Sequence, residues 1–243
     1  MADPIPASPL LVLKGVSKRF GGLRAVSDLD LAVGRGELRC LIGPNGAGKS
    51  TVFKLIVGFE RPTTGSITFD GEGIDRWPTW KRARQGLSIK MQIPGVYPEL
   101  TVEDNMRVAA QYHVRGAQME EAIAGLLARV GLSGTGPMLT KNLSHGEQQW
   151  LEIGMALSVN PKLLLLDEPT AGMGPGETEA TGRLIESLNA DGVTILVIEH
   201  DMAFVRQIAR TVTVLHLGRI FAEGTIADIE ANQDVTDIYL GRT

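Results

Sequence analysis

The chain has 243 residues, of which 43% are hydrophobic, and a formal net charge of -4. This length allows one large α/β core with an inserted subdomain, and the mildly acidic balance gives no general support for nucleic-acid binding. The single cysteine, Cys40, excludes a disulfide or a cysteine-based zinc site within the chain, and its apolar neighbours are typical of a buried thiol. The longest apolar runs, 163–166 and 193–198, are too short to span a bilayer.

Residues 1–9 are rich in Pro and Ala, and we expect a flexible leader there. Strands are then predicted in LLVLKGV, LRAVSDLDLAV and ELRCLIG, a helix in TVFKLIVGF, and an edge strand with a turn in GSITFDGEGI. Residues 93–160 change to helical patterns, which predict an all-helical insertion. Buried strands in KLLLLDEP and VTILVIEH then alternate with helices, and VTVLHLGRIFAEG is typical of a hairpin. This alternation predicts an α/β fold with a mostly parallel sheet.

The stretch GPNGAGKS at 43–50, called the phosphate loop below, matches G-x-x-x-x-G-K-[ST] between a predicted strand and a predicted helix. Its glycines let backbone N–H groups form an anion nest, to which the helix N-terminus adds its positive dipole end. A lysine in this pattern reaches the β- and γ-phosphates, and the hydroxyl after it binds Mg²⁺. The predicted ATP-binding residues here are Gly43, Pro44, Asn45, Gly46, Ala47, Gly48, Lys49, Ser50 and Thr51.

Two adjacent carboxylates, Asp167 and Glu168, follow four leucines at the end of a predicted buried strand. We expect Asp167 beside the phosphate loop as a Mg²⁺ ligand and Glu168 as the residue that polarises an attacking water. Together with the phosphate loop, they predict a P-loop NTPase. The N-K-x-D element by which GTPases read guanine does not occur in the sequence, and the sequence exposes no lid or acceptor site of a P-loop kinase.

Three further segments, in order, resemble the ATPases of ABC transporters over about residues 10–241: Gln92 in KMQIPGVYPELTVEDN, LSHGEQQ at 143–149, and IEHDM at 198–202. The resemblance implies a single domain over 10–243, with the core and an N-terminal antiparallel β subdomain in 10–92 and 161–243 and a helical subdomain in 93–160. It also implies that Gln92 contacts Mg²⁺ or the attacking water, that His200 contacts the γ-phosphate, and that Phe20 stacks on adenine. The alternative for Phe20 is a core side chain on an edge strand.

The segment 143–149 is called the signature segment below. Its Ser144 and Glu147 have capping-box spacing, so each side chain is expected to bond the other residue's backbone N–H at a helix start. By resemblance, Ser144, His145, Gly146 and Glu147 bind the ATP held by a second subunit in a head-to-tail dimer. His145 stands where the family usually has glycine, and its side chain is expected to point away from the phosphate. Gly174 stands near the position where the family usually carries an aspartate.

The resemblance further implies a peripheral subunit on the cytoplasmic face of the membrane, with an identical or paralogous second ATPase, two permeases and, indirectly, a solute-binding protein. The sequence around QWLEIGM and in the C-terminal segment resembles the ATPases of branched-chain amino acid importers. It is most similar to those of the urea and short-amide branch. The alternative is a soluble ABC ATPase of DNA repair or translation.

Tyr97 and Leu100 are candidate interface residues, and KRAR at 81–84 is expected to be a solvated helix face.

Overall fold

The computed structural model describes residues 9–92, 95–114 and 116–240. The predicted leader lies outside these residues except for Pro9, which begins the first strand. The strands are β1 Pro9–Phe20, β2 Leu23–Gly34, β3 Leu38–Ile42, β4 Thr64–Phe69, β5 Glu72–Gly73, β6 Leu87–Lys90, β7 Leu163–Asp167, β8 Thr194–Ile198, β9 Thr211–His216 and β10 Arg219–Gly224. The helices are α1 Lys49–Val57, α2 Thr79–Arg84, α3 Val102–Ala110, α4 Gln118–Arg129, α5 His145–Leu157, α6 Pro175–Ala190, α7 Met202–Ile208, α8 Ile226–Ala231 and α9 Gln233–Leu240, with a 3₁₀ turn at Thr140–Asn142.

Two sheets organise the chain. The first is antiparallel in the order β2-β1-β4-β5, and the second has the order β10-β9-β3-β8-β7-β6. In the second sheet only β10 is antiparallel to its neighbour, and the other strands run parallel. The predicted α/β class, with a mostly parallel sheet and an N-terminal antiparallel sheet, is confirmed. In the segment predicted as an edge strand, β4 lies inside its sheet and only β5 lies at the edge.

The central strands β3, β7 and β8 are buried at every position, because both faces of the sheet are covered. Alternate residues enter different cores: Leu41 packs with β1, β2 and α1, whereas Cys40 and Ile42 pack with the helices on the other face. Cys40 is fully buried, as the sequence predicts.

Helices α3, α4 and α5 lie between β6 and β7 in the chain, as expected for the helical insertion. They pack closely: a side chain at Gly154 of α5 would meet Val130 at 3.3 Å and Met106 at 3.4 Å. The subdomain limits at 93 and 160 stay a prediction, and residues 93 and 94 lie outside the described part of the chain. Across the described ranges, no helix combines the length and the apolarity that crossing a membrane requires.

The segment KRAR, expected to be a solvated helix face, contains a buried arginine, and for this residue the prediction is wrong. Arg82 is 1% exposed. Its Nη1 donates to the carbonyls of Leu55 and Ile56 at 2.7 Å each, and its Nε donates to the carbonyl of Trp77 at 3.2 Å. These two α1 carbonyls lie in the last turn, where a helix leaves acceptors unpaired, so Arg82 caps the C-terminus of the helix that the phosphate loop begins.

The predicted hairpin, β9 and β10, reaches back to the phosphate loop. Its turn is Leu217–Gly218, and both residues have positive φ angles, as the favoured two-residue turn requires. The Gly218 N–H donates to the Ala47 carbonyl at 2.9 Å, and the Gly218 carbonyl accepts from Ser27 at 2.8 Å. The hairpin therefore joins the phosphate loop to the antiparallel sheet.

Candidate active site

The carboxyl ends of β3, β8 and β7 lie side by side in the parallel sheet. The phosphate loop follows β3, His200 lies after β8, and Asp167 and Glu168 lie at the end of β7. Asp167 is predicted beside the phosphate loop; in the sheet, β8 lies between β3 and β7, and the charge of Asp167 acts on Lys49 of the loop. Because His200 follows β8, it lies at the same carboxyl-terminal edge of the sheet as the phosphate loop and the acidic pair.

The phosphate loop depends on glycine at two close contacts. Gly43 has φ 146° and Gly48 has φ 104°, and added Cβ atoms would lie 2.2 Å from the Leu215 carbonyl oxygen and 2.5 Å from that of Ala25. Any side chain would push the loop away from these strands. Of the loop residues, Gly43 and Ala47 are buried, Pro44 and Gly48 are half-buried, and Asn45, Gly46 and Ser50 are exposed; Thr51 is half-buried in α1.

Lys49 lies across this loop and is 8% exposed. Its Nζ donates to the carbonyls of Gly43 at 2.6 Å and Pro44 at 3.1 Å. Burial lowers the pKa of Lys49, and the negative charges of Glu168 and Asp167 oppose that shift. The Lys49 ammonium is thus held at the phosphate loop and is attracted electrostatically by the Asp167 and Glu168 carboxylates.

The two consecutive carboxylates have different environments. Asp167 is 7% exposed, and burial, followed by the charge of Glu168, raises its pKa to about 6, against the opposing effects of Lys90 and Lys49. Glu168 has φ 47°, a left-handed conformation that costs a non-glycine residue about 1–2 kcal/mol. Its N–H donates to the Ile198 carbonyl at 3.0 Å, which fixes this turn against β8. A strained backbone here is typical of a functional position.

Gln92, Glu168 and His200, the three predicted catalytic residues, come together. The Gln92 Nε2 donates to Glu168 Oε2 at 2.7 Å, and His200 Nδ1 lies 3.6 Å from Glu168 Oε1. The His200 ring is largely exposed. Glu168 therefore stands between an amide donor and an imidazole, and the imidazole lies exposed at the surface.

Glu199 is a site residue that the sequence argument missed. It is 1% exposed, and its Oε1 accepts from the Thr170 hydroxyl at 2.6 Å. Its Oε2 accepts from the backbone N–H groups of His200 at 3.0 Å and Asp201 at 3.4 Å. Glu199 thus fixes the segment after β7 against the segment that carries His200. An acidic residue at the end of a buried apolar strand was the available signal, the same one that identified Asp167.

The signature segment forms the predicted capping box at the start of α5. The Ser144 Oγ accepts from the Glu147 N–H at 3.2 Å, and Glu147 Oε2 accepts from the Ser144 N–H at 2.8 Å. The His145 Nε2 lies 2.9 Å from the Ala171 carbonyl oxygen, so this side chain is directed to the segment after β7. Gly146 is buried. Among the described residues, the side-chain contacts of Ser144 and His145 do not include the phosphate loop.

Glu177, in the first turn of α6, is a second residue that the sequence argument missed. Its Oε1 accepts from the Ser144 hydroxyl at 3.2 Å, and its Oε2 accepts from the Gly174 N–H at 3.1 Å. Gly174, near the usual aspartate position of the family, is the N-cap residue of α6. Acidic residues are common in first helical turns, so the sequence offered no specific signal for this one.

Phe20 ends β1 and is 41% exposed, which contradicts the alternative that it is a core side chain. The Lys18 Nζ lies 4.8 Å from the centroid of its ring. An exposed aromatic face remains available for stacking.

The site combines a phosphate loop that leads from β3 into a helix, an acidic pair at the end of β7, and a histidine after β8, the strand between them. This combination defines the class of P-loop ATPases. The family model for ABC transporters matches residues 26–171. The chain belongs to the ABC transporter ATP-binding family.

The high-affinity branched-chain amino acid transport ATP-binding protein BraF of Pseudomonas aeruginosa is 38% identical in an alignment of 250 positions that covers 96% of this chain and 98% of BraF. The ADP conformation of MJ1267, an ATP-binding cassette of an ABC transporter, superposes with a TM-score of 0.90 at 28% identity, covering 96% of this chain and 99% of that one. A dimeric post-hydrolysis state of the cassette MJ0796, bound to ADP and Pi, has a TM-score of 0.79 at 26% identity and covers 89% and 98% of the two chains.

The chain is thus the ATP-binding subunit of an ABC transporter, an ATPase whose hydrolysis is coupled to transport, and it is close to the branched-chain amino acid ATPases. The alternative of a soluble ABC ATPase in DNA repair or translation is not favoured, because a transport protein matches nearly the whole chain.

Proposed function

We propose that this subunit powers the import of branched-chain amino acids, or of urea or short amides, through two partner permeases at the cytoplasmic face of the membrane. The observation that supports ATP hydrolysis as the power source is the meeting of Gln92, Glu168 and His200 at the sheet edge that also holds Lys49. The similarity to BraF supports an amino-acid solute. The resemblance of the sequence around QWLEIGM to the urea and short-amide branch supports those solutes.

Glu168 is the general base in this proposal. Its carboxylate has one oxygen bonded by Gln92 and the other facing His200. A water molecule beside it would transfer a proton to Glu168 as its oxygen attacks the γ-phosphorus, and the bond from that phosphorus to the β,γ-bridging oxygen would break, so that ADP leaves with this oxygen. His200 would then orient the γ-phosphate, and Lys49 would stabilise the negative charge on the phosphate oxygens.

The expected Mg²⁺ fits the residues present. Ser50 supplies a hydroxyl, Asp167 a carboxylate and Gln92 an amide, which are the hard oxygen ligands that Mg²⁺ prefers together with substrate phosphates and water. The raised pKa of Asp167, near 6, reflects a buried carboxylate that a divalent cation would stabilise in its charged form. Mg²⁺ supplies charge neutralisation on the phosphates when it is bound.

The nucleotide would extend from the phosphate loop towards Phe20, whose exposed ring offers a stacking surface for adenine. The signature segment would bind the γ-phosphate of ATP held by a second subunit, identical or paralogous. The dimeric state of the related cassette MJ0796, bound to ADP and Pi, supports this arrangement.

The permeases would contact the surface that follows β6. Tyr97 is 54% exposed there, and Leu100 and Met91 are exposed as well. Large exposed apolar side chains clustered on one segment are typical of an interface. Because Gln92 lies in this segment and bonds Glu168, movement of the permeases would reach the proposed base directly. A solute-binding protein would act on the permeases and thus only indirectly on this chain.

The decisive variant is Glu168→Gln, measured as steady-state ATP hydrolysis and, separately, as ATP binding. Loss of a general base should lower hydrolysis about 10²-fold or more, while ATP affinity persists because the phosphate loop is intact. Glu179→Gln is the matched control, since Glu179 lies exposed on α6 and pairs only with Arg183 among the described contacts of its side chain. Near-normal turnover of Glu168→Gln would refute the role of this residue.

The import proposal needs its own experiment. In cells that carry Glu168→Gln in place of the natural residue, uptake of labelled leucine or labelled urea should fall, while Glu179→Gln cells keep normal uptake. Which of the two solutes loses its uptake identifies the branch. Normal uptake of both would reject the proposed solute classes.

A further inference from the structure

The carboxylate of Glu177 lies between the N-terminal ends of α5 and α6. One oxygen accepts the Ser144 hydroxyl at 3.2 Å and the other accepts the Gly174 N–H at 3.1 Å. The negatively charged Glu177 side chain thus accepts the hydrogen bond of the Ser144 hydroxyl within one subunit. In the proposed function, this hydroxyl donates to a phosphate of ATP instead.

The glycine of the signature segment makes this approach possible. A Cβ atom built on Gly146 would lie 2.6 Å from Glu177 Oε1 and 2.9 Å from its carboxyl carbon. Any side chain at position 146 would displace the carboxylate from the first turn of α5. Gly146 is therefore needed for the internal contact within one subunit.

Two further contacts join α5 to the same region. The His145 Nε2 lies 2.9 Å from the Ala171 carbonyl oxygen, and the Trp150 Nε1 donates to the Thr181 hydroxyl at 2.8 Å. Three side chains of the helix start and first turns thus contact residues 171–181, the segment that follows Glu168. Of the three contacts, only the one between Ser144 and Glu177 involves the Ser144 hydroxyl, the group that would bind phosphate.

We propose that Glu177 is a positioning residue that holds the signature segment in a resting arrangement and must release Ser144 before ATP can bridge two subunits. This inference rests on the proposed role of the signature segment. A serine hydroxyl has one proton to donate, so it bonds either Glu177 or the γ-phosphate. In addition, the carboxylate repels an approaching phosphate, an effect that grows as the interface closes and excludes water.

The test measures ATP-driven dimerisation in the Glu168→Gln background, so that hydrolysis does not consume the nucleotide. Glu177→Gln keeps the size of the side chain and removes its charge. The ATP concentration that gives half-maximal dimer should fall about fivefold, the usual difference between a hydrogen bond to a charged acceptor and one to a neutral acceptor. Glu177→Ala should lower it as well, and Glu179→Gln should leave it unchanged.

An unchanged or raised ATP requirement in both Glu177 variants would overturn the proposal, because Glu177 would then be neutral or would assist ATP binding by Ser144. A purely structural role predicts the same ATP requirement with a lower melting temperature, which is measured in parallel.

A second measurement separates this inference from the proposed function. Hydrogen exchange of the amides at 145–148 in the nucleotide-free subunit should be faster in Glu177→Gln than in Glu179→Gln. Equal rates would show that Glu177 does not restrain the signature segment, whether or not dimers form. If Glu168→Gln does not dimerise at any ATP concentration, the failure lies with the proposed function.

Discussion

Replacing Arg82 with alanine should destabilise the protein strongly, although the residue lies in a basic segment that looks like a solvated surface. Its guanidinium donates to the Leu55 and Ile56 carbonyls at 2.7 Å, in the last turn of α1. Gly58 packs directly against it, since an added Cβ there would lie 2.8 Å from Arg82 Nε. No other group among the described residues takes over these two carbonyls.

The magnitude follows from the groups that lose their partners. Two buried carbonyls left unpaired cost about 1–3 kcal/mol each. Burial lowers the pKa of Arg82, which reflects the cost of desolvating its charge, and the alanine variant no longer carries that cost. A net loss of about 3 kcal/mol results. For a chain of this size, that loss corresponds to a melting temperature lower by roughly 6–12 °C.

The assay is thermal unfolding followed by circular dichroism, with Arg84→Ala as the matched control. Arg84 is exposed and contributes a cation–π contact with Trp80 at 5.1 Å, which is worth about 0.5–1 kcal/mol at an exposed site. Arg82→Lys should be intermediate, because an ammonium lacks the planar fork that reaches several carbonyls. Equal melting temperatures for Arg82→Ala and Arg84→Ala would refute the capping role.

Two further predictions concern other sites. Burial, followed by the charge of Glu199, raises the pKa of the Cys40 thiol, so iodoacetamide at pH 8 should leave folded protein unmodified and alkylate it in denaturant; stoichiometric labelling of the folded protein would contradict this. Phe20→Ala should raise the KM for ATP roughly tenfold with little change in kcat, because one base-stacking contact is lost. Phe221→Ala, at similar exposure on β10, is its control, and an unchanged KM would reject the stacking role.

The central strands, the turn of the phosphate loop and the capping box were predictable because their signals are local. Continuous apolar runs identified β7 and β8, since both faces of these strands are covered. Glycine spacing identified the phosphate loop, since Gly43 and Gly48 adopt backbone angles that disfavour other residues. The capping box of Ser144 spans only four residues, so its geometry follows from sequence spacing alone.

The residues that escaped prediction depend on partners far along the chain. Arg82 bonds carbonyls 26 and 27 residues away, and Glu177 bonds a hydroxyl 33 residues away. From sequence alone, a charged residue is expected to be exposed, because its buried partners are known only once the packing of the whole domain is known. Similarly, β8 lies between β3 and β7, and this order depends on crossover connections rather than on local pattern.

The two helix starts that face the proposed nucleotide differ in one decisive respect. Helix α1 begins with Lys49, a cation held at the phosphate loop, so this start attracts phosphate in the isolated subunit. Helix α5 is capped by Ser144, whose hydroxyl is bonded to the Glu177 carboxylate of its own subunit, so under the proposal this start would repel phosphate until Glu177 withdraws. Binding of ATP to the phosphate loop would therefore precede engagement of the signature segment, and the order of the two events follows from the charges placed at the two helix starts.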